Sequence, residues 1–106
     1  MLPFPFRSED WDRVKEVSIE LVNASAADDP SLMASRFVEL QVVLGELRAK
    51  YDEHPVLLET EADFCEQELE SLELYNRALA LAEAHQLPKD SIQSSLHACL
   101  LRLRRT

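Results

Sequence analysis

The chain has 106 residues, enough for one domain and one core, since a chain of this size buries roughly two-thirds of its unfolded surface. It contains one Gly among 46% hydrophobic and 29% charged residues, which disfavours strand-rich folds, whose tight turns consume glycine, and the abundance of Ala, Leu and Glu favours helix. The net charge is −9, and the nine acids between Asp52 and Glu73, with no Lys or Arg among them, equal all of it; a phosphate backbone is repelled by such a segment, so nucleic acid is not an expected partner.

No window approaches 18 apolar residues, so no membrane span is expected, and Met1 to Phe6 lacks the basic start and long apolar run of a secretory signal. Cys65 and Cys99 have no CxxC spacing. They read as buried, reduced thiols on helices of a cytoplasmic protein.

Residues 1–7 are expected to form an extended apolar arm, because Pro3 and Pro5 flank Phe4 and keep the segment out of a helix. Its two rings, Phe4 and Phe6, either cap the domain's own core or dock on a partner or a second copy. Residues 8–106 are expected to form a single helical domain. The first helix starts at Ser8 as N-cap, with Glu9 and Asp10 suiting the positive end of the dipole. Trp11, Val14, Ser18, Leu21 and Val22 form its stripe, broadened by Val17 and Ile19, and it ends near Ala24.

The second helix is announced by Asp29 as N-cap and Pro30 at the first helical position. Leu32, Met33, Phe37, Leu40, Val43, Leu44, Leu47 and Tyr51 follow at steps of three and four, to about Asp52. Gly45, inside this helix, weakens it by about 1 kcal/mol relative to Ala and is expected to mark a close helix crossing. His54-Pro55 separates it from residues 56–87, which hold neither Gly nor Pro. The apolar face shifts within that run. Leu57, Leu58, Ala62 and Cys65 form one stripe and Leu69, Leu72, Tyr75, Ala78, Leu79 and Ala82 another, which predicts two helices broken at Glu66-Gln67-Glu68.

Leu87-Pro88 closes the fourth helix. Asp90 or Ser91 caps a fifth that carries Ile92, Leu96, Cys99, Leu100 and Leu103, with Arg102, Arg104 and Arg105 at its end. The expected fold is all-α, about five antiparallel helices with short connections. Phe37, Leu40, Leu44, Leu72, Tyr75, Leu79, Leu96 and Leu100 are expected to be buried together.

Ser71, Tyr75 and Ala78, at steps of four and three, with Pro88 beyond, give residues 69–88 a pattern that resembles the second helix of a tetratricopeptide repeat. Ala62 takes the small-residue position of the preceding helix, where the repeat has a glycine, and residues 92–103 the place of the helix that stacks next. The resemblance covers about a third of the chain, and residues 8–54 carry no second copy. It implies a short tetratricopeptide-like array, as an alternative to a plain bundle, and a scaffold that binds protein or peptide. It supplies no peptide clamp, which needs Lys and Asn on facing helices; Asn76 and Arg77 do not make one.

Catalytic patterns are missing from the sequence: HExxH, GxSxG, the phosphate-binding GxxxxGK and the dinucleotide fingerprint are all absent. No Glu has His three residues later, as a di-iron bundle requires. His97 and Cys99 are two apart and point about 200° apart on a helix. Glu59 and Asp63, and Glu66 and Glu70, are spaced as paired carboxylates, but in so acidic a segment a solvated helix face is the simpler reading. His54 reads as a cap or turn residue and His85 as a last-turn residue.

No catalytic, cofactor-binding or metal-binding residue is therefore assigned, and no cofactor is expected. The expected function is a protein–protein interaction module, a small helical adaptor, chaperone or immunity-like protein with a basic partner. Glu59, Glu66, Glu70 and Glu73 face outward in this reading because Leu58, Leu69 and Leu72 point inward; Phe4 and Phe6 offer a second contact. Two alternatives stand beside it: a structural subunit that forms a homodimer through helix 2 or the Phe4/Phe6 arm, and a small enzyme with a carboxylate or Cys–His site.

Overall fold

The computed structural model describes residues 4–105, so the first part of the arm, including Pro3, lies outside the described residues. Five helices follow in chain order: α1 (Ser8–Ala26), α2 (Pro30–Tyr51), α3 (Pro55–Phe64), α4 (Glu68–Ala84) and α5 (Asp90–Arg104). There is no strand among the described residues, and the all-α expectation holds. The chain divides into two compact units, one ending at Asp52 and the other starting at Glu53.

In the first unit α1 and α2 form an antiparallel hairpin. Lys50 pairs with Asp10 at 2.9 Å, Arg13 with Glu46 at 2.7 Å and Arg36 with Glu20 at 3.5 Å, so position numbers fall along one helix as they rise along the other. Ser8 is the first helical residue rather than the cap; Arg7 holds the cap position and makes no side-chain cap bond. Val14, Val17, Leu21 and Ala24 are the buried side of α1, whereas Ile19 and Val22 are exposed, so the predicted stripe was too broad.

The helix stops at Ala26 without glycine. Asp28 takes a φ of 53°, its N–H donates to Ser25 O, and the N–H of Asp29 reaches back to Ala24 O, both at 3.0 Å. This double closure satisfies carbonyls that a helix end leaves unpaired.

The start of α2 is as expected. Asp29 Oδ1 accepts the Leu32 N–H at 3.1 Å and Pro30 opens the helix. Asp29→Ala should therefore lower stability by about 1 kcal/mol, read as a shift in the denaturant midpoint, while Asp29→Asn or Ser should recover most of it. Leu40, Val43, Leu44 and Leu47 are buried, Met33 and Phe37 half-buried, and Leu32 exposed. Gly45 does not mark a helix crossing within the chain: a Cβ placed there meets no atom within 4 Å.

At the open end of the hairpin the arm folds back. Phe6 stacks on Trp11 with ring centroids 5.4 Å apart and meets Tyr51 edge-on at 5.1 Å, while Phe4 packs edge-on against both Phe6 and Trp11. The Tyr51 hydroxyl donates to Asp10 and accepts the Arg7 N–H at 3.2 Å.

In the second unit His54 caps α3, its Nδ1 accepting the Val56 N–H at 3.1 Å, with Pro55 at the first helical position. The break between α3 and α4 falls at residues 65–67, beside the predicted polar stretch. Cys65 lies in that turn rather than on a helix, with ψ at 130°. The turn is tied by Ser71, whose buried hydroxyl lies 3.1 Å from Ala62 O and 3.3 Å from Cys65 O. One hydroxyl hydrogen thus serves two carbonyls that the end of α3 leaves unpaired.

The fourth helix ends as α1 does. Gln86 takes a φ of 56°, and the Leu87 N–H donates to Ala82 O at 2.8 Å. His85 is therefore the C-cap of α4 rather than a residue of its last turn. Lys89, not Asp90 or Ser91, precedes the first helical residue of α5, and no side chain caps it.

Small residues let these helices approach. Ala78 and Ala82 pack with Leu58 and Ile92, and Ala62 with Tyr75 and Cys99, with Leu72, Leu74 and Leu96 at the margin of the second group. The expected single core is thus divided. Phe37, Leu40 and Leu44 belong to the first unit, the remaining residues to the second, and Leu100 is exposed.

Candidate interaction surface

The acidic segment is not uniform once folded. Glu68 is paired with Arg102 at 2.7 Å, and Glu53 lies 3.9 Å from Arg77. Glu59 is half-buried and accepts the Ser91 hydroxyl. Asp63 accepts the Tyr75 hydroxyl. Burial of the Asp63 carboxyl pushes its pKa up and the Tyr75 hydrogen bond opposes this, while the neighbouring charge of Glu59 adds to the rise. These acids all have partners on α4 or α5 of the second unit.

Glu66, Glu70 and Glu73 behave differently. All three are exposed, and none has an ion-pair partner among the described residues. Glu70 accepts only a thiol contact from Cys65, at 3.5 Å. Between them stands Leu69, which was expected to point inward and is instead 71% exposed. The reason is angular. The buried side of α4 is Ser71, Tyr75, Ala78 and Ala82, and Leu69, two residues before Ser71, projects about 200° from it. Glu66 precedes the helix, so Glu66 and Glu70 are not the helical carboxylate pair that their spacing suggested. Of the four predicted contact acids, three gather around Leu69, and Glu59 is held by α5. The acids of the first turn, Glu68 and Glu70, also suit the positive end of the α4 dipole.

The two rings of the arm part company. Phe6 is 7% exposed and belongs to the aromatic cluster; Phe4 is 49% exposed and keeps an open face. A shallow groove of ≈ 400 Å³ runs along α4, lined by Leu58, Ala80, Leu81 and Ala84 with Glu53 and Arg77 at its polar edge. Sequence reasoning did not single it out, because apart from Leu58 its apolar lining, Ala80, Leu81 and Ala84, lies outside the main stripes.

Both thiols are free, Cys99 buried and Cys65 half-buried. Burial pushes both thiols above the ordinary value of 9.0, and the Glu68 charge adds to this at Cys99. Burial, and then the Asp63 carboxylate, push the Tyr75 hydroxyl up further still. The thiolate is the reactive form. Both cysteines should therefore react slowly with a thiol reagent at pH 7, and Cys65 before Cys99.

The sign of the pH effect follows. Above about pH 9 the unfolded chain releases these protons while the fold retains them, so stability should fall as pH rises. Denaturant midpoints measured at neutral and at alkaline pH check this; a midpoint that rose with pH would contradict it. His97 is exposed where Cys99 is buried, and no group of three or more His, Cys, Asp or Glu among the described residues could hold a metal ion. Among the described residues no helix is long and apolar enough to cross a membrane.

No protein-family model, curated protein or solved structure matches the chain.

Proposed function

We propose that this chain is a protein-interaction module, a small adaptor, chaperone or immunity-like protein whose partner presents a basic patch. The observation that carries the reading is the exposed trio Glu66, Glu70 and Glu73 around an exposed Leu69, while the neighbouring acids are engaged inside the fold. An unpaired negative field speeds encounter with a cationic surface, and an apolar side chain at its centre offers area that a partner can bury. Ala62, Ser71 and Ala78, the small residues on which the resemblance to a tetratricopeptide repeat rests, are buried, which supports the scaffold reading.

No catalytic role is assigned: Glu59 and Asp63 are held by hydroxyls, and their arrangement is accounted for by folding. Cys65 and Cys99 are both free, which supports a cytoplasmic location.

The test is to capture the partner from native lysate and measure its binding to a variant with Glu66, Glu70 and Glu73 changed to Lys. Glu59 is left alone, since its tie to Ser91 would confuse folding with binding. Binding should weaken with salt, and the variant should associate more slowly at unchanged helicity. Unchanged affinity and unchanged salt dependence would assign the acids to solubility and direct the search to Phe4.

A further inference from the structure

Unpaired charge of both signs collects at one end of the second unit. Glu68, at the start of α4, holds Arg102 at 2.7 Å, and its backbone oxygen takes the Cys99 thiol at 3.5 Å. Ala78 and Ala82, later on α4, pack with Ile92 at the start of α5. The two helices are therefore antiparallel, and the first turn of α4 lies beside the last turn of α5.

Each of these turns presents charge around exposed leucine. On α4 it is Leu69 among Glu66, Glu70 and Glu73. On α5 it is Leu100 and Leu101, 42% and 39% exposed. Arg104 and Arg105 stand four residues beyond them, one turn along the same side of the helix, and both are exposed.

These two arginines differ from the other bases. Every other Lys and Arg of the described residues has a partner within the chain. The guanidinium groups of Arg104 and Arg105 have no ion-pair partner among the described residues. Arg104 projects about 200° from Arg102, which is why one reaches Glu68 and the other does not. The helix dipoles account for acids at the start of α4 and bases at the end of α5, but not for the leucines that they surround.

An acidic surface centred on leucine fits a basic surface centred on leucine, and this chain carries both on neighbouring helix ends. A two-fold axis beside them makes the same contact twice, as an isologous interface requires. We propose that two copies of the chain associate through this end of the second unit, the acidic surface around Leu69 of each copy meeting Leu100, Leu101, Arg104 and Arg105 of the other. The inference rests on the reading of that acidic surface as a contact site, and it names the partner.

Sedimentation of the full chain from about 1 µM to about 1 mM covers millimolar to micromolar affinities. The mass should rise from 12.1 kDa towards twice that value and stop there, because a closed two-fold contact leaves neither surface free. Two variants test the pairing. One changes Glu66, Glu70 and Glu73 to Lys, the other Arg104 and Arg105 to Glu. Each alone sets like charge against like charge in both contacts and should weaken association at least about tenfold.

Mixed in equal amounts, the two variants set Lys against Glu in one contact and Glu against Arg in the other, so the mixture should recover the dimer. That recovery also shows that both variants are folded. Salt dependence is not the readout, since each copy carries a net charge of −9 and salt screens the repulsion between copies as well. Leu69→Gln, a change at an exposed site, should weaken the dimer without altering charge.

A parent chain that stays at 12.1 kDa throughout overturns the proposal. So does a dimer indifferent to both charge variants, or a mixture that associates no better than either variant alone. If the self-association fails while a basic protein from lysate still loses affinity for the Lys variant, the acidic surface stands as a contact site and only the second copy is overturned.

Discussion

Replacing Leu44 by Ala should lower stability by about 2–5 kcal/mol, through lost transfer energy plus the cavity left behind. Leu44 and Leu40 are both 0% exposed, and Leu40→Ala should act alike. Ala is the better helix former, so the loss cannot be laid on α2 itself. Trp11, the only tryptophan, sits in the same unit and reports its unfolding. Ile19→Ala on α1 is the control: that side chain is exposed, and such a surface change should stay within about 0.5 kcal/mol. A loss below about 1 kcal/mol at both leucines would show that the inward face of α2 is misassigned.

In the second unit the largest effect is expected at Tyr75. Its ring packs with Ala62 and Cys99, and its hydroxyl donates to Asp63. Tyr75→Ala should lower stability by about 3–5 kcal/mol, and the cavity should let a thiol reagent reach Cys99 faster. Tyr75→Phe isolates the hydroxyl and should cost about 1.5–3 kcal/mol, the range for a bond to a charged group.

The pH dependence has a definite sign. The Tyr75 hydrogen bond favours the charged carboxylate of Asp63 against the burial that pushes its pKa up. Without the hydroxyl, Asp63 should titrate higher still. The gap between the parent chain and Tyr75→Phe should then be full near neutral pH and shrink as the pH falls through the titration of Asp63. A gap that widened in acid would mean that the bond serves the protonated carboxyl instead.

The start of α2 was legible in the sequence, where a cap and a proline stand together. Asp29-Pro30 acts within a few residues, so local chemistry decides it; His54-Pro55 was read as the end of α2, with His54 as a cap or turn residue, and it also opens α3. The break between α3 and α4 was legible for a related reason: the apolar stripe shifts phase there. The same local reading placed the stops of α1 and α4 near Ala24 and at Leu87-Pro88, within a few residues of where they fall, but not their means: Asp28 and Gln86 adopt positive φ, held by paired backbone bonds. The acidic segment was visible as composition, but not its division. Which acids are tied by Ser91, Tyr75 and Arg102 depends on residues 12 to 34 positions away.

By itself, then, the sequence determined an all-α chain, its five helices and the capped start of α2, since each rests on propensity, periodicity or a cap within one turn. The tertiary structure alone decided where the buried side of each helix ends. Periodicity already put Leu40, Val43, Leu44 and Leu47 on one stripe of α2, and they are buried, but only packing leaves Leu32 of that stripe, and Ile19 and Val22 of α1, exposed. The same cause turned Leu69 outward, exposed Leu100 and left Gly45 open to solvent: side-chain burial is set by what packs against a helix, and those contacts come from residues far away in the chain.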